Sequence, residues 1–280
     1  MNPSLFSFFN RGVASIFALS FGIAAAPNGF CSDVFRGNET FQSFNKAKKI
    51  LEHQVIFDHR VTLYCNAPFD KDKWISLPSG FTTQVHKKRA NRVEWEHVVP
   101  AENFGRFFPE WREGSPMCTD NRGAPFKGRK CAEKSNITFR LMQSDMYNLF
   151  PVIGAVNAER GNKNFGLLSA SAENTFGSCA MKISSNRAEP PKYARGTIAR
   201  AYKYMAYAYP IFKLSKEQER LMDVWDRQYP VEKWECVRTK RIERIQGNEN
   251  PFVKQPCIEK KLWYQCFSRA IVCIELLYFL

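Results

Sequence analysis

Arg92-Val93-Glu94-Trp95-Glu96 (RVEWE) alternates polar and apolar side chains, the pattern of a half-buried β-strand, and His97-Val98-Val99 carries the chain on toward Pro100. On such a strand Glu94 and Glu96 face one side, Trp95 and His97 the other. A backbone that leaves the strand at His97 turns the imidazole toward the side of Glu96. Working outward, Arg60 to Tyr64 (RVTLY) reads as a second short strand, and Asn66 to Gly80 is turn-rich. Phe41 to His53 has helical spacing of Phe44, Ala47, Ile50 and Leu51, with lysines opposite. Beyond Pro100, the segment Phe104 to Ser135 reads as a long loop, punctuated by Gly and Pro and carrying Arg106, Arg112, Arg122, Lys127, Arg129 and Lys130.

Pro151 to Glu159 (PVIGAVNAE) reads as a short helix opened by its proline and stopped by Gly161. Arg195 to Tyr209 is a second helix, with Ile198, Tyr202, Met205 and Tyr209 on one stripe. Leu214 to Gln228 is a third, with Ser215 as its cap and Gln218 three residues on. There is no internal repeat, low-complexity tract or linker. The expectation is one mixed α+β domain over residues 27–257, and 280 residues with 44% hydrophobic side chains suffice for its core.

The two ends read differently. Val13 to Ala26 is an apolar, small-residue run behind Arg11, too short for a comfortable membrane span. Residues 1–26 are therefore expected to be a secretory signal peptide, with an uncleaved anchor as the alternative. Leu262 to Leu280 is strongly apolar but holds Arg269 and Glu275, so residues 258–280 are set apart as a tail without an assigned chemical role. It suits a docking helix, a membrane-associating tail or sequence outside the functional domain. All nine cysteines lie beyond the signal and none forms a CxxC pair, which argues against a zinc ribbon or a thioredoxin-type site. In an exported protein they are disulfide partners, Cys118 with Cys131 being the first pair expected, and the odd count leaves one over. The 41 Lys and Arg against 27 Asp and Glu give a charge of +14, a field that favours nucleic acid, anionic membranes or acidic glycans.

Among those polyanions, Glu94-Trp95-Glu96-His97 suits nucleic acid. Phosphodiester hydrolysis needs a base for water, a hard cation against the phosphate charge, and a positive group to steady the product. Histidine titrates near neutral pH, and a carboxylate with an amide oxygen and several waters suits Mg²⁺. Four residues alone are a weak signal, because a histidine beside acids is more often structural. The surroundings strengthen it. EWEHVVPAENFG (94–105) and SDMYNLFPVIGAVNAERGN (144–162), then CAMK (179–182), AEPPKYARGTIAR (188–200), YPVEKWEC (229–236) and QGNENPF (246–252), together resemble the bacterial endonuclease I family of periplasmic and secreted nucleases. The resemblance runs in order from about Phe41 to Cys257.

The resemblance implies a ββα-metal (His-Me finger) unit and nonspecific cleavage of double-stranded DNA, and often RNA, to 5′-phosphate ends. His97 matches the general base, and Glu96 and Asn157 match the protein ligands of one metal ion, normally Mg²⁺, with Mn²⁺ or Ca²⁺ as substitutes. Arg129 matches the arginine that stabilises the cleaved phosphate, and Glu94 a supporting acid that orients the site. Contacts are expected mainly to phosphates, by a monomer with no obligate protein partner, in the periplasm or outside the cell. Read without the family, Asn157 is a polar residue near a helix end, Arg129 one solvated cation of many, and Glu94 an ion-pair partner. The chain departs from the family at Gln143 and Ala155, where acids are common, and lacks the cysteine after Cys65 and its partner near Gly80. A DNA-binding or DNA-uptake protein with weak catalysis is the rival expectation.

Overall fold

The computed structural model describes residues 36–262, so the expected signal and most of the apolar tail lie outside the described residues. Its centre is a two-stranded antiparallel sheet of β1 (Val93–His97) and β2 (Leu149–Ile153), with Glu96 opposite Phe150 and His97 opposite Leu149. α6 (Gly154–Arg160) follows β2 without a loop and folds back on both strands. The segment between the strands supplies α2 (Ala101–Gly105), α3 (Pro109–Arg112), α4 (Arg129–Ser135) and α5 (Ile137–Gln143). α1 (Phe44–Ile50), capped by Ser43 and prolonged by a wider turn over Leu51–Val55, precedes β1.

A smaller sheet, in the order β3 (Asn164–Phe165), β5 (Arg187–Glu189), β4 (Lys182–Ile183), leads to α7 (Lys192–Ala208). α7 buries Ile198, Tyr202 and Met205 on the expected stripe, and packs against α8 (Lys216–Gln228), which buries Met222 and Trp225. The Ser215 hydroxyl accepts the Gln218 amide and starts α8 where expected. α9 (Lys233–Gln246) and α10 (Pro251–Glu259) close the described chain, joined by the disulfide Cys236–Cys257. α10 ends at Glu259, residues 260–262 turn away with Lys261 in the left-handed region, and Leu262 packs beside that disulfide.

Three local expectations give way. Arg60–Tyr64 forms no strand: the Thr62 backbone and hydroxyl bond to Ala67, so the chain turns back after a single pairing of Val61 with Pro68. The segment 104–135 holds α3 and α4 rather than one open loop, because Pro109 opens one helix and the Cys118–Cys131 disulfide gathers the turns between them. Pro151 sits in the middle of β2, not at a helix start. Its carbonyl accepts from Leu63 on the outer edge, so the missing N–H would have pointed away from β1 and no ladder bond is lost. The helix begins three residues later, at Gly154.

Candidate active site

β1 ends on Glu96 and His97, and both line one open cavity of about 350 Å³ with Phe44, Trp111, Arg129 and Asn157. His97 is buried between the rings of Phe44 and Phe104, at centroid distances of 4.7 and 6.2 Å. Its Nε2 lies 2.8 Å from the backbone oxygen of Gln143. A carbonyl only accepts, so Nε2 carries the proton and Nδ1 keeps its lone pair. Burial, reinforced by the nearby Arg129 charge, pushes the imidazole down to about 3 and keeps it neutral.

Glu96 is held by one oxygen. Tyr64 donates its hydroxyl to Oε1 at 2.9 Å and Arg160 donates Nη1 to the same atom at 2.6 Å. Among the described residues Oε2 has no hydrogen bond. Arg160 is fully buried and also ties down the strand end, donating to the carbonyls of His97 at 2.9 Å and Val98 at 2.7 Å. Burial pushes the Glu96 carboxyl up, opposed by the Arg160 guanidinium and the Tyr64 hydroxyl.

Asn157 reaches the same cavity from α6. Its Nδ2 donates to Glu94 Oε2 at 2.8 Å, which leaves Oδ1 as the oxygen turned elsewhere. Glu94 is gripped in turn by Arg89, whose Nε lies 2.7 Å from Oε1. Burial pushes the Glu94 carboxyl up, but the bonds from Arg89 and Asn157 outweigh it and hold the group below its ordinary value. Glu94 is not part of the cavity wall; it meets the site through its hydrogen bond from Asn157. Gly154 makes this approach possible: a Cβ there would stand 2.6 Å from the Arg89 carbonyl and 2.7 Å from Glu94 Oε1.

Arg129, the first residue of α4, also lines the cavity, with Nη2 3.4 Å from Gln143 Oε1 and its guanidinium 5.5 Å from the Phe44 centroid. Although the residue is exposed overall, the crowding of protein around its guanidinium lowers its pKa, with Glu133 opposing. Gln143, one of the two departures, thus touches both cavity groups: its backbone holds His97 and its side chain meets Arg129. Ala155, the other, is wholly buried in the first turn of α6.

No cluster of three or more His, Cys, Asp or Glu suited to a metal occurs among the described residues. One carboxylate and one amide lining the same cavity fit a hard cation that keeps most of its water. Tyr64, Arg160, Arg89 and Phe44 escaped the sequence reading. Arg160 alone left a trace, standing three residues after Asn157 on one helix, a spacing far too common to single it out.

The model of the endonuclease I family matches residues 43–257. The chain belongs to that family. Of its relatives, an extracellular deoxyribonuclease from Aeromonas hydrophila is 40% identical over 78% of this chain and 91% of its own length. A periplasmic deoxyribonuclease from the same organism is also 40% identical, over 77% of this chain and 87% of its own. Endonuclease-1 of Buchnera aphidicola subsp. Acyrthosiphon pisum (strain APS) is 36% identical over 79% and 84%. As an endonuclease I family member the chain is an endonuclease, and like the two Aeromonas relatives it is periplasmic or secreted. Three disulfides agree with an oxidising compartment, and among the described residues no helix is long and apolar enough to cross a membrane.

Proposed function

We propose that the chain hydrolyses phosphodiester bonds of DNA, and of RNA, without sequence preference, leaving 5′-phosphate ends with the help of one Mg²⁺. In this proposal β1, β2 and α6 are the ββα-metal (His-Me finger) unit, and the protein acts as a monomer. The carrying observation is that one cavity is lined by a neutral histidine, by Glu96 and by Asn157, the last two each with an oxygen not hydrogen-bonded among the described residues.

Glu96 and Asn157 would hold the ion, which when bound offsets charge on the phosphate and on the departing 3′-oxygen. Mn²⁺ or Ca²⁺ would fit the same oxygens. His97 Nδ1 takes a proton from the attacking water as its oxygen bonds to phosphorus. The bond from phosphorus to the 3′-oxygen breaks, that oxygen takes a proton from solvent, and the phosphate stays on the 5′ side. Arg129 pairs with the phosphate oxygens through its fork of donors. Glu94 and Arg89 keep the Asn157 amide turned the right way. The +14 charge draws the polyanion in.

Plasmid incubated with the purified protein is expected to be degraded with Mg²⁺ and spared with EDTA. Plasmid that stays intact with Mg²⁺ present while still being bound would favour the binding or uptake protein instead. His97→Ala is expected to lose turnover and keep DNA binding.

A further inference from the structure

Phe44 separates three groups: His97 at 4.7 Å between centroids, Arg129 at 5.5 Å and the Lys48 ammonium at 4.4 Å. Phe44 and Lys48 stand one turn apart on α1, so they share a helix face; Phe44 lines the cavity and the Lys48 ammonium lies over its ring. Lys48 is half-buried, and among the described residues its ammonium has neither an ion pair nor a hydrogen bond. Lys73 lies nearby and is paired with Glu52 at 2.8 Å. Arg129 has no ion pair among the described residues either; its side-chain bond is to the uncharged amide of Gln143. Burial, then the charges of Lys73 and Arg129, lower the Lys48 pKa, so these cations repel one another without a bound anion. A fold that places two cations without ion-pair partners among the described residues over one ring, beside the candidate base, is set up for anions there.

We infer that Lys48 forms a second phosphate subsite, holding a backbone phosphate adjacent to the one being cut, with Phe44 fixing its spacing from Arg129. It rests on the nuclease assignment above. A flanking phosphate is bound in ground state and transition state alike, so Lys48 acts on substrate affinity more than on turnover.

The test compares Lys48→Met and Lys48→Arg with Lys49→Met, which removes an exposed cation from the neighbouring position on the helix. With Mg²⁺ and duplex DNA, Lys48→Met is expected to raise KM about tenfold while kcat stays within about twofold, and Lys48→Arg to restore KM. In EDTA, anisotropy of a labelled duplex against salt is expected to show the Lys48→Met slope reduced by about one, as for one lost phosphate contact. Equal effects from Lys49→Met, or an unchanged KM and slope in Lys48→Met, would overturn the subsite while leaving the nuclease assignment intact. A wild-type protein that binds the duplex but never cuts it would overturn the nuclease assignment instead, and the salt slope then decides whether Lys48 contacts phosphate.

Discussion

His97 and Arg160 carry most of the residue-scale chemistry. Burial keeps the His97 imidazole neutral, with its folded value at about 3 against an ordinary 6.5. A group depressed in this way stabilises the fold fully above its unfolded value, and that contribution is lost as pH falls from 6.5 toward about 3. Urea unfolding is therefore expected to show stability falling with acid by up to about 1.4 kcal/mol per pH unit from this group, with a shallower slope in His97→Asn. For the same reason, kcat/KM should lack an acid limb centred near 6.5; finding one would show that the imidazole is exposed to solvent in the working enzyme. Arg160→Met removes the guanidinium on Glu96 Oε1 and, among the described residues, leaves the buried carboxylate with the Tyr64 hydroxyl. A loss of about 3–5 kcal/mol in denaturant unfolding is expected, and a loss below about 1 kcal/mol would mean that water replaces the ion pair.

Among the elements, β1, β2 and α6 matter most, because they bring residues 96 and 157 together. Their junction is tight at Gly154, where no side chain fits between Arg89 and Glu94. Gly154→Ala should push Glu94 off Asn157 and loosen the amide. The Mg²⁺ concentration giving half-maximal activity is expected to rise about 10- to 100-fold, with a smaller change in saturating rate. An unaltered Mg²⁺ requirement would mean that Glu94 does not position Asn157. β1 was legible from its alternation alone, and α8 from its cap, since both signals are local. β2 was not: LFPVI is apolar throughout and contains proline, so only the pairing with β1 reveals a strand. The helices α3 and α4 were hidden for a related reason, being short segments among glycines and prolines that packing, not propensity, keeps helical.

For the whole molecule, the disulfides differ in what they hold. Cys65–Cys179 closes a separation of 114 residues and Cys118–Cys131 one of 13. Chain entropy alone makes them worth about 5 and about 3 kcal/mol. Paired serine variants should therefore show the larger loss of thermal stability for Cys65 and Cys179. The reverse order would point to residual structure in the unfolded chain. Cys65 follows Tyr64, whose hydroxyl holds Glu96, so the longer bridge also braces the active site from below. The expectation of Cys118 with Cys131 rested on a short loop; the pairing of Cys65 with Cys179 was not expected and had no local clue, because Cys179 lies beyond β2 and α6.

By itself the sequence determined the family, the strand bearing Glu96 and His97, and the export setting, since order of motifs, alternation and cysteine use are properties of the chain as written. Only the tertiary structure decided which nitrogen of His97 is free, which oxygens of Glu96 and Asn157 remain open, and that Lys48 shares a ring with Arg129. Those facts depend on Gln143, Arg160, Tyr64 and Phe44, partners distant from β1 in the chain. Hydrogen bonds and burial assign proton positions and charges, and both exist only once those distant residues are packed around the strand.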